Sequence, residues 1–535
     1  MDWFSLGKLD EKGAALNRLG FIIAVFYWWM NCLVQAHVGS PDVFYDGPVG
    51  VYTARITIRM PSVVPGRAEI SVRVLGDQPD QVSFLPLFSR TSITNAPPAD
   101  LGRLIAGETN LYFGELWLMS IGAYTIDVKM RGSLGIGSIQ IPVSSVPLSQ
   151  LPLPPFLGYI LVALGALLCG GGVAIVSAAA RESVLGSTAV IGQKERRRGW
   201  VAGLITAFIM VVFLIGGRRW WNADEAKFRS QLRGGAWPDM QAVVRVDGAQ
   251  RILRLTLGQE IFLGNATLPL IPDHGKLLHL FLIREGTQDT FAHLHPVRKG
   301  GKVFEVALPT LPQGRYKVLC DLTVEGSVLS STATNSVDVP ALSNQPVQGT
   351  VLKPDPDDSW ANYTGIPVPD GSANNTTFRL PDGITVEWSK HAPLQVSKDA
   401  GLNFVIRNAS GKPVELVPYM GMLCHAAILR ADGSVFSHLH PSGNYSMAAQ
   451  SFFDAKLDKE TQHQTPVISG LVDHSKMDHS KMNHGGDTTK PAIGVSSISL
   501  PYEFPIAGDY RIWVQFKIGT QVHTAIFDTK VGTAE

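Results

Sequence analysis

The sequence predicts a mainly β protein made of three β-sandwich domains, with a transmembrane helical hairpin and an N-terminal signal or anchor helix. Short runs of alternating apolar and polar residues, such as VYTARITI at 51–58 and LNFVIRN at 402–408, are typical of half-buried strands. The 53 glycines and 34 prolines separate these runs at a spacing typical of sandwiches. Because no soluble segment keeps an apolar period of about 3.6 residues, we expect no long soluble helix.

Two apolar stretches predict the transmembrane hairpin. Residues 156–180 and 200–217 approach or exceed the length of about 20 residues that a spanning helix needs. The connecting residues 181–199 carry five basic and two acidic side chains, which predicts a cytoplasmic loop. Basic residues Arg218 and Arg219 at the other membrane face oppose this orientation, but the loop carries more basic residues. We therefore follow the loop and expect a bacterial inner-membrane protein with its large domains on the periplasmic side.

The N-terminal segment 1–36 predicts a signal peptide or a signal anchor. An apolar stretch at 20–36 follows basic residues and ends in Val34-Gln35-Ala36, a small-residue pattern that a signal peptidase could cleave. Cleavage would make His37 the N-terminus. Both alternatives export the residues that follow.

A weak repeat predicts three related sandwiches. A Gly-x-Tyr sequence opens a strand at Gly122, Gly314 and Gly508. The expected domains are 37–150, 218–340 and 374–535, with 341–373 as a linker and 442–494 as a polar insertion in the third domain.

The second and third domains also share a longer motif that ends in His-Leu-His-Pro. It is LLHLFLIREGTQDTFAHLHP at 277–296 and LCHAAILRADGSVFSHLHP at 423–441. A turn at Asp432-Gly433 would set Arg430 opposite Val435 and so His425 opposite His440. His438 has the same parity as His440, so three imidazoles, His425, His438 and His440, would share one face of a hairpin.

The same geometry is predicted in the second domain. A turn centred near Thr287 places His279 opposite His295, with His293 beside it. A slip of one residue would send the lone histidine to the opposite face, so the prediction depends on the register. Three imidazoles on one face predict a metal site, against the alternative of ordinary histidines bonded to backbone.

Further ligands are predicted near the third triad. We expect His523, in the last strand, to complete a fourth position. Met420, Met422 and Cys424 precede His425, but parity places them on the other face unless the strand bulges. We expect Cys320 and Cys424 to be packing residues.

The insertion indicates which metal is bound. The tandem repeat VDHSKMDHSKMNHGG alternates imidazole and thioether groups. These residues are His474, Met477, His479, Met482 and His484. Thioethers favour Cu(I), and imidazole suits both copper oxidation states, so we expect copper and no organic cofactor. The alternative is a linker that binds metal loosely or not at all.

The third domain resembles the YtkA-like and FixH-like secreted β-sandwich domains of bacteria. The resemblance is carried by PYMGMLCHAAILRADGSVFSHLHP and YEFPIAGDYRIWVQFKIGTQVHTAIF, and the DHSKM repeats resemble those of periplasmic copper-resistance oxidases. It implies an immunoglobulin-like or cupredoxin-like sandwich and a metal-related role. The layout is also similar to the B subunit of particulate methane and ammonia monooxygenases, in which an N-terminal histidine shares copper with a downstream His-x-His.

Three functions remain open: a periplasmic copper-binding protein for capture, handover or resistance, an accessory subunit of a membrane oxidase or its assembly complex, and a structural sandwich array. We favour the first, with a membrane oxidase or a copper transporter as partner.

The sequence shows no nucleotide-binding or hydrolase motif, so we expect no catalysis by the chain. Basic residues (46) and acidic residues (45) balance, so we expect no nucleic-acid partner. Four scattered cysteines exclude a disulfide framework.

Overall fold

The computed structural model describes most of the chain, and every structural statement below concerns these residues. They are 42–92, 95–147, 153–183, 190–236, 239–258, 270–325, 328, 330–342, 346, 351–363, 375–390, 393–464 and 496–533. Within them, 27 strands form six sheets, so the protein is mainly β as predicted. Three buried apolar clusters each lie between a pair of sheets. We call these pairs the first, second and third units.

The first unit contains nine strands. They are β1 (Val43–Val49), β2 (Tyr52–Arg59), β3 (Gly66–Leu75), β4 (Gln81–Phe88), β5 (Asp100–Leu101), β6 (Arg103–Leu104), β7 (Leu111–Leu118), β8 (Gly122–Gly132) and β9 (Gly135–Ser145). One sheet has the order β1-β2-β3-β7-β6 and the other β5-β4-β8-β9. Burial in β3 alternates residue by residue, which is the period-2 pattern of a strand with one face on a core.

Two long apolar helices follow the first unit. Helix α1 spans Pro155–Glu182, and helix α2 spans Gln193–Ala236. Both contain a stretch long and apolar enough to cross a membrane, and α1 has no buried residue. The prediction of two apolar helices is confirmed, but α2 begins before residue 200 and continues well past residue 217 because its polar flanks extend the same helix.

The second unit begins after α2. Its strands are β10 (Met240–Asp247), β11 (Gln250–Leu257), β12 (His279–Arg284), β13 (Thr290–Leu294), β14 (Val297–Gly300), β15 (Val303–Ala307), β16 (Gly314–Thr323), β17 (Ser330–Val339) and β18 (Ser359–Asn362). The sheets have the orders β10-β11-β15-β14 and β17-β16-β12-β13-β18. Strand β18 lies inside the expected linker 341–373 and pairs with β13, so part of that segment belongs to the second unit.

The third unit completes the chain. Its strands are β19 (Thr377–Arg379), β20 (Thr385–Trp388), β21 (Leu394–Gln395), β22 (Leu402–Arg407), β23 (Cys424–Arg430), β24 (Phe436–Leu439), β25 (Ser497–Leu500), β26 (Gly508–Ile518) and β27 (Gln521–Gly532). The sheets have the orders β19-β20-β22-β25 and β21-β27-β26-β23-β24.

The polar insertion at 442–494 begins with a helix, α3 (Met447–Gln464). Its Lys456 donates to the carbonyls of Ser89 and Thr91, and its Gln450 donates to the carbonyl of Gln140 in the first unit. Our expectation of no long soluble helix was wrong here. The helix has almost no amphipathic pattern in sequence, and its contacts with another unit stabilise it instead.

The five-stranded sheets of the second and third units pack face to face. Their contact is a separate apolar cluster that draws residues from both sheets. The members are Phe281, Ile283, Phe291, Leu319, Ala427, Leu429, Phe436, Trp513 and Ile526. Phe291 and Trp513 stack across it with ring centroids 5.0 Å apart. The faces that carry the two His-Leu-His-Pro motifs are therefore turned toward each other.

A buried arginine ties these two units together. Arg511 in β26 forms a two-pronged ion pair with Asp528, at 2.7 and 2.8 Å. The same guanidinium donates to the carbonyl of Gln288 in the second unit, at 2.8 Å. Arg511 is fully buried, so the ion pair with Asp528 compensates its charge away from solvent.

We predict that Arg511→Leu lowers the free energy of unfolding by about 3–5 kcal/mol, because Asp528 would be left buried without its partner. Urea unfolding followed by tryptophan fluorescence would measure this, since Trp513 lies in the contact. The control is Arg407→Leu, whose exposed pair with Glu387 is worth about 0–1 kcal/mol. Equal losses in the two variants would contradict the prediction.

Candidate metal centre

The two hairpins place three histidines each on one face, in the predicted register. In the second unit Leu280 pairs with Leu294 and Phe281 with His293, so His279 lies opposite His295. In the third unit Ala426 pairs with Leu439 and Ala427 with His438. The register on which the prediction depended is confirmed in both hairpins.

The histidines converge in two groups that could hold a metal ion. The second-unit triad is His279, His293 and His295, and the third-unit triad is His425, His438 and His440. Within each triad one ring nitrogen per residue lies within 4.8 Å of the others. Five of the six residues are buried and His438 is half-buried.

A tight turn fixes the first histidine of each triad. Asp273 and Lys276 exchange backbone hydrogen bonds, and so do Tyr419 and Met422. The two central residues of each turn have positive φ, 48° and 77° at His274-Gly275 and 50° and 80° at Met420-Gly421. Each turn aims a backbone carbonyl at an imidazole.

Hydrogen bonds to the turns determine which nitrogen of the first histidine carries the proton. His279 Nε2 lies 3.1 Å from the carbonyl of Asp273, and His425 Nε2 lies 3.1 Å from the carbonyl of Tyr419. A carbonyl only accepts, so Nε2 carries the proton and Nδ1 presents a lone pair.

The second histidine of each triad presents a lone pair to the same point. His293 Nδ1 lies 3.0 Å from the amide oxygen of Gln515, which leaves Nε2 as the lone-pair nitrogen. His293 Nε2 is 3.2 Å from His279 Nδ1. Two lone pairs at this distance repel unless a proton or a cation lies between them, which is the arrangement of a metal site with its outer partners in place.

The third-unit triad repeats this arrangement. His438 Nε2 lies 3.2 Å from His425 Nδ1, and His438 Nδ1 lies 3.4 Å from a carboxylate oxygen of Asp321. Asp321 pairs with His279 in the second unit, whereas Gln515 pairs with His425 in the third. Each unit therefore supplies a polar outer partner to the second histidine of the other unit's triad.

The last histidine of each triad has a buried nitrogen with no hydrogen-bond partner among the described residues. This atom is Nε2 in both His295 and His440. In His295 the other nitrogen, Nδ1, lies 3.1 Å from the carboxylate of Asp358, which holds the ring in the orientation of a carboxylate-backed metal ligand. Buried polar atoms without partners are costly, and a bound cation would satisfy them.

A carboxylate group beside His295 also has metal-site geometry. Asp355 and Asp358 form a third group with His295. The amine of Lys276 lies 2.6 Å from Asp355, and Asp358 is engaged with His295 itself. A cation is already present at these carboxylates, so we interpret the group as the outer support of the second-unit triad.

The two triads form one continuous histidine cluster. Ring centroids of His279 and His438 are 5.5 Å apart, as are those of His293 and His438. His274 joins the cluster from the second unit, with its ring 4.9 Å from that of His440 and 5.6 Å from that of His425.

Burial keeps most of these imidazoles neutral. It lowers the pKa well below the ordinary value of 6.5, and neighbouring imidazoles lower each pKa further. The residues concerned are His279, His293, His425 and His440. A neutral imidazole has the lone pair that a metal ion requires.

A cavity connects the cluster with the junction of the three units. Its volume is ≈ 230 Å³. His279, His438 and His440 line one part of it, and Pro142 and Ser446 lie among the lining residues of the first and third units. A metal ion is small enough to reach both triads through this space.

Other predicted ligands lie elsewhere. The expectation that His523 completes the third-unit triad was wrong. His523 pairs with Phe516, which pairs in turn with Cys424, so His523 is one residue out of phase with His425 and lies on the opposite sheet face. Its Nδ1 is 3.4 Å from Asp382. Cys320 and Cys424 are buried in the cores as expected. The tract residues His474, Met477, His479, Met482 and His484, and also His37, lie outside the described residues.

Sequence reasoning missed four residues of the centre. They are His274, Asp321, Asp358 and Gln515. The first had a signal, since Asp-His-Gly-Lys and Tyr-Met-Gly-Met stand at the same distance before His279 and His425. The other three reach the histidines through packing between units or through an added edge strand, which leaves no local pattern.

We predict that the metal-free protein loses stability as pH falls below about 6.5. The four histidines with a lowered pKa stay neutral in the folded protein but bind protons in the unfolded chain. Their contribution to the free energy of unfolding is therefore complete above this pH and decreases below it by up to ~1.4 kcal/mol per pH unit for each group. Thermal unfolding between pH 8 and 5 would measure this. His293→Gln together with His425→Gln should flatten the dependence, and an unchanged slope would contradict the assignment.

Comparisons with known proteins give no function. Residues 377–467 match a family model described as a domain of unknown function (DUF8832), and this range contains the third-unit triad. No curated protein matches the chain.

Among solved structures, trypsin-activated alpha-2-macroglobulin from Escherichia coli is 7% identical with a TM-score of 0.16, over 94% of this chain and 24% of that chain. A chimeric titin Z1Z2-Z1Z2 tandem is 12% identical with a TM-score of 0.11, over 56% of this chain and 100% of that chain. TM-scores this low support no inference about fold or function.

Proposed function

We propose that this protein is a membrane-anchored, periplasmic copper-binding protein whose structured sites are the two histidine triads between the second and third units. The role is copper capture and handover, or resistance, without catalysis by the chain itself. One observation carries the proposal: in each triad, two ring nitrogens whose outer partners accept hydrogen bonds face each other at 3.2 Å. Such a pair is satisfied by a cation and is unfavourable without one.

The choice of copper rests on the whole set of donors. Imidazole alone suits zinc, copper, iron and nickel, so the triads do not select one metal. The tract at 474–484 adds thioether groups, which favour Cu(I), to the same chain. In this proposal the tract collects copper and the buried triads hold it. The resemblance to YtkA-like and FixH-like domains agrees with this role and stays a prediction.

The fold supports a route for the ion. The residues that line the cavity between the units include His438 and several residues with hydroxyl groups, among them Thr323, Ser330 and Ser437. Hydroxyl oxygens can replace water around a moving cation without binding it tightly. Helices α1 and α2 would anchor the units at the membrane, with the basic residues at 194–198 on the cytoplasmic side.

The test is the copper content of the full-length protein in detergent, in a background where the tract histidines are alanine and the tract methionines are leucine. We predict about two tightly bound copper ions per chain, since each triad offers one site. His293→Ala and His438→Ala should each remove about one ion, because each change deletes one ligand of one triad.

The matched control is His523→Ala, because His523 is a buried histidine of the same sheet on the opposite face. It should retain all the copper. If the tract-substituted protein binds no copper, or if His523→Ala loses as much as His438→Ala, the triads are not the copper sites. Tight binding of zinc in preference to copper would overturn the choice of metal.

A further inference from the structure

We propose that the two triads form one dinuclear centre in which the units exchange a fourth ligand: His274 of the second unit completes the third-unit triad, and Met420 of the third unit completes the second-unit triad. One site would then have four nitrogens and the other three nitrogens and a sulfur. This inference rests on the proposed function and adds to it the fourth ligand and the preferred copper oxidation state of each site.

The contact between the units has an approximate twofold arrangement. Equivalent positions of the two sheets occur in pairs in the apolar cluster: Phe281 with Ala427, Ile283 with Leu429, Phe291 with Phe436, and Leu319 with Trp513. The outer partners follow the same rule, because Asp321 and Gln515 occupy equivalent positions and each reaches the other unit's triad. The contacts are therefore reciprocal: equivalent positions of the second and third units make equivalent contacts with the opposite unit.

His274 lies closer to the third-unit triad than to the first histidine of its own unit's triad. It belongs to the turn before β12, yet its ring lies 4.9 Å from that of His440 in the third unit. Its ring is farther from its own unit's His279, at 6.3 Å. The side chain is only 8% exposed, so it is part of the buried centre. A fourth imidazole therefore faces the third-unit triad from across the contact.

Met420 occupies the equivalent place in the third unit. Its turn has the same positive φ values and the same exchanged backbone bonds as the turn of His274. The turn is docked on the second unit, because the Tyr419 hydroxyl donates to the carbonyl of Asp357 at 2.9 Å and lies 3.4 Å from the Ser359 hydroxyl. Asp358, which lies between these two residues, holds His295.

The opposite turn is docked in the same way. Asp273 accepts a hydrogen bond from Ser446, which follows the His-Leu-His-Pro motif of the third unit. Each turn thus lies against the segment beside the other unit's last triad histidine. If the symmetry holds for the side chains, the thioether of Met420 faces the second-unit triad in the way that the imidazole of His274 faces the third-unit triad.

The two positions differ in chemistry. A thioether is a soft ligand that favours Cu(I), whereas four imidazoles also suit Cu(II). We therefore expect the second-unit triad to hold Cu(I) more tightly and the third-unit triad to be the better Cu(II) site. Adjacent sites with opposite preferences would let the centre hold copper in either oxidation state.

The test is X-ray absorption of the full-length protein loaded with Cu(I), with the tract histidines changed to alanine and Met477 and Met482 changed to leucine so that the tract supplies no copper ligand. We expect sulfur in the copper shell. Met420→Leu should remove that sulfur, leave about two bound copper ions, and raise the Cu(I) Kd of one site at least about tenfold. Met420→Leu with His274→Met should restore the sulfur from the opposite turn.

The control is Met447→Leu, since Met447 packs against the core of the first unit, and it should keep the sulfur signal. Sulfur that persists in Met420→Leu, or about two bound copper ions without sulfur in the parent, would overturn this inference and leave the proposed function standing. A parent that binds no copper at the triads would defeat the proposed function itself.

Discussion

The apolar contact between the two five-stranded sheets is the interaction on which the rest of the metal centre depends. Nine large or aliphatic side chains, with Phe291 stacked on Trp513, turn the motif-bearing faces of the second and third units toward each other. Without that contact each triad would lie on an open sheet face, in water. With it, burial lowers the pKa of His293 and of His425, so their lone pairs are available at neutral pH.

Each buried site also depends on residues from both units. Gln515 orients His293 and Asp321 lies beside His438, so the outer partners come from across the contact. A metal ion bound at either triad would therefore favour the packed arrangement of the units, since ligand binding stabilises the state that offers the site. The same logic places Arg511, which bridges Asp528 and the carbonyl of Gln288, among the residues that hold the centre together without touching it.

Much of the centre was predictable because it is local. Strand alternation and a turn at Asp432-Gly433 define which histidines share a face, and the observed register agrees. The fourth ligand was not predictable by the same rule. His523 was chosen for its place in the last strand, but a shift of one residue in pairing with Phe516 puts it on the other face. Asp321, Asp358 and Gln515 reach the triads through tertiary packing, and such contacts leave no local pattern in the sequence.

We propose that the histidine cluster between the second and third units binds copper. A crystal structure of the copper-loaded protein, with anomalous data above and below the copper absorption edge, would test this most directly. We predict an anomalous peak within each triad, bounded by Nδ1 of the first histidine and Nε2 of the other two. Peaks found only outside the cluster, or a loaded crystal with none at the triads, would contradict it.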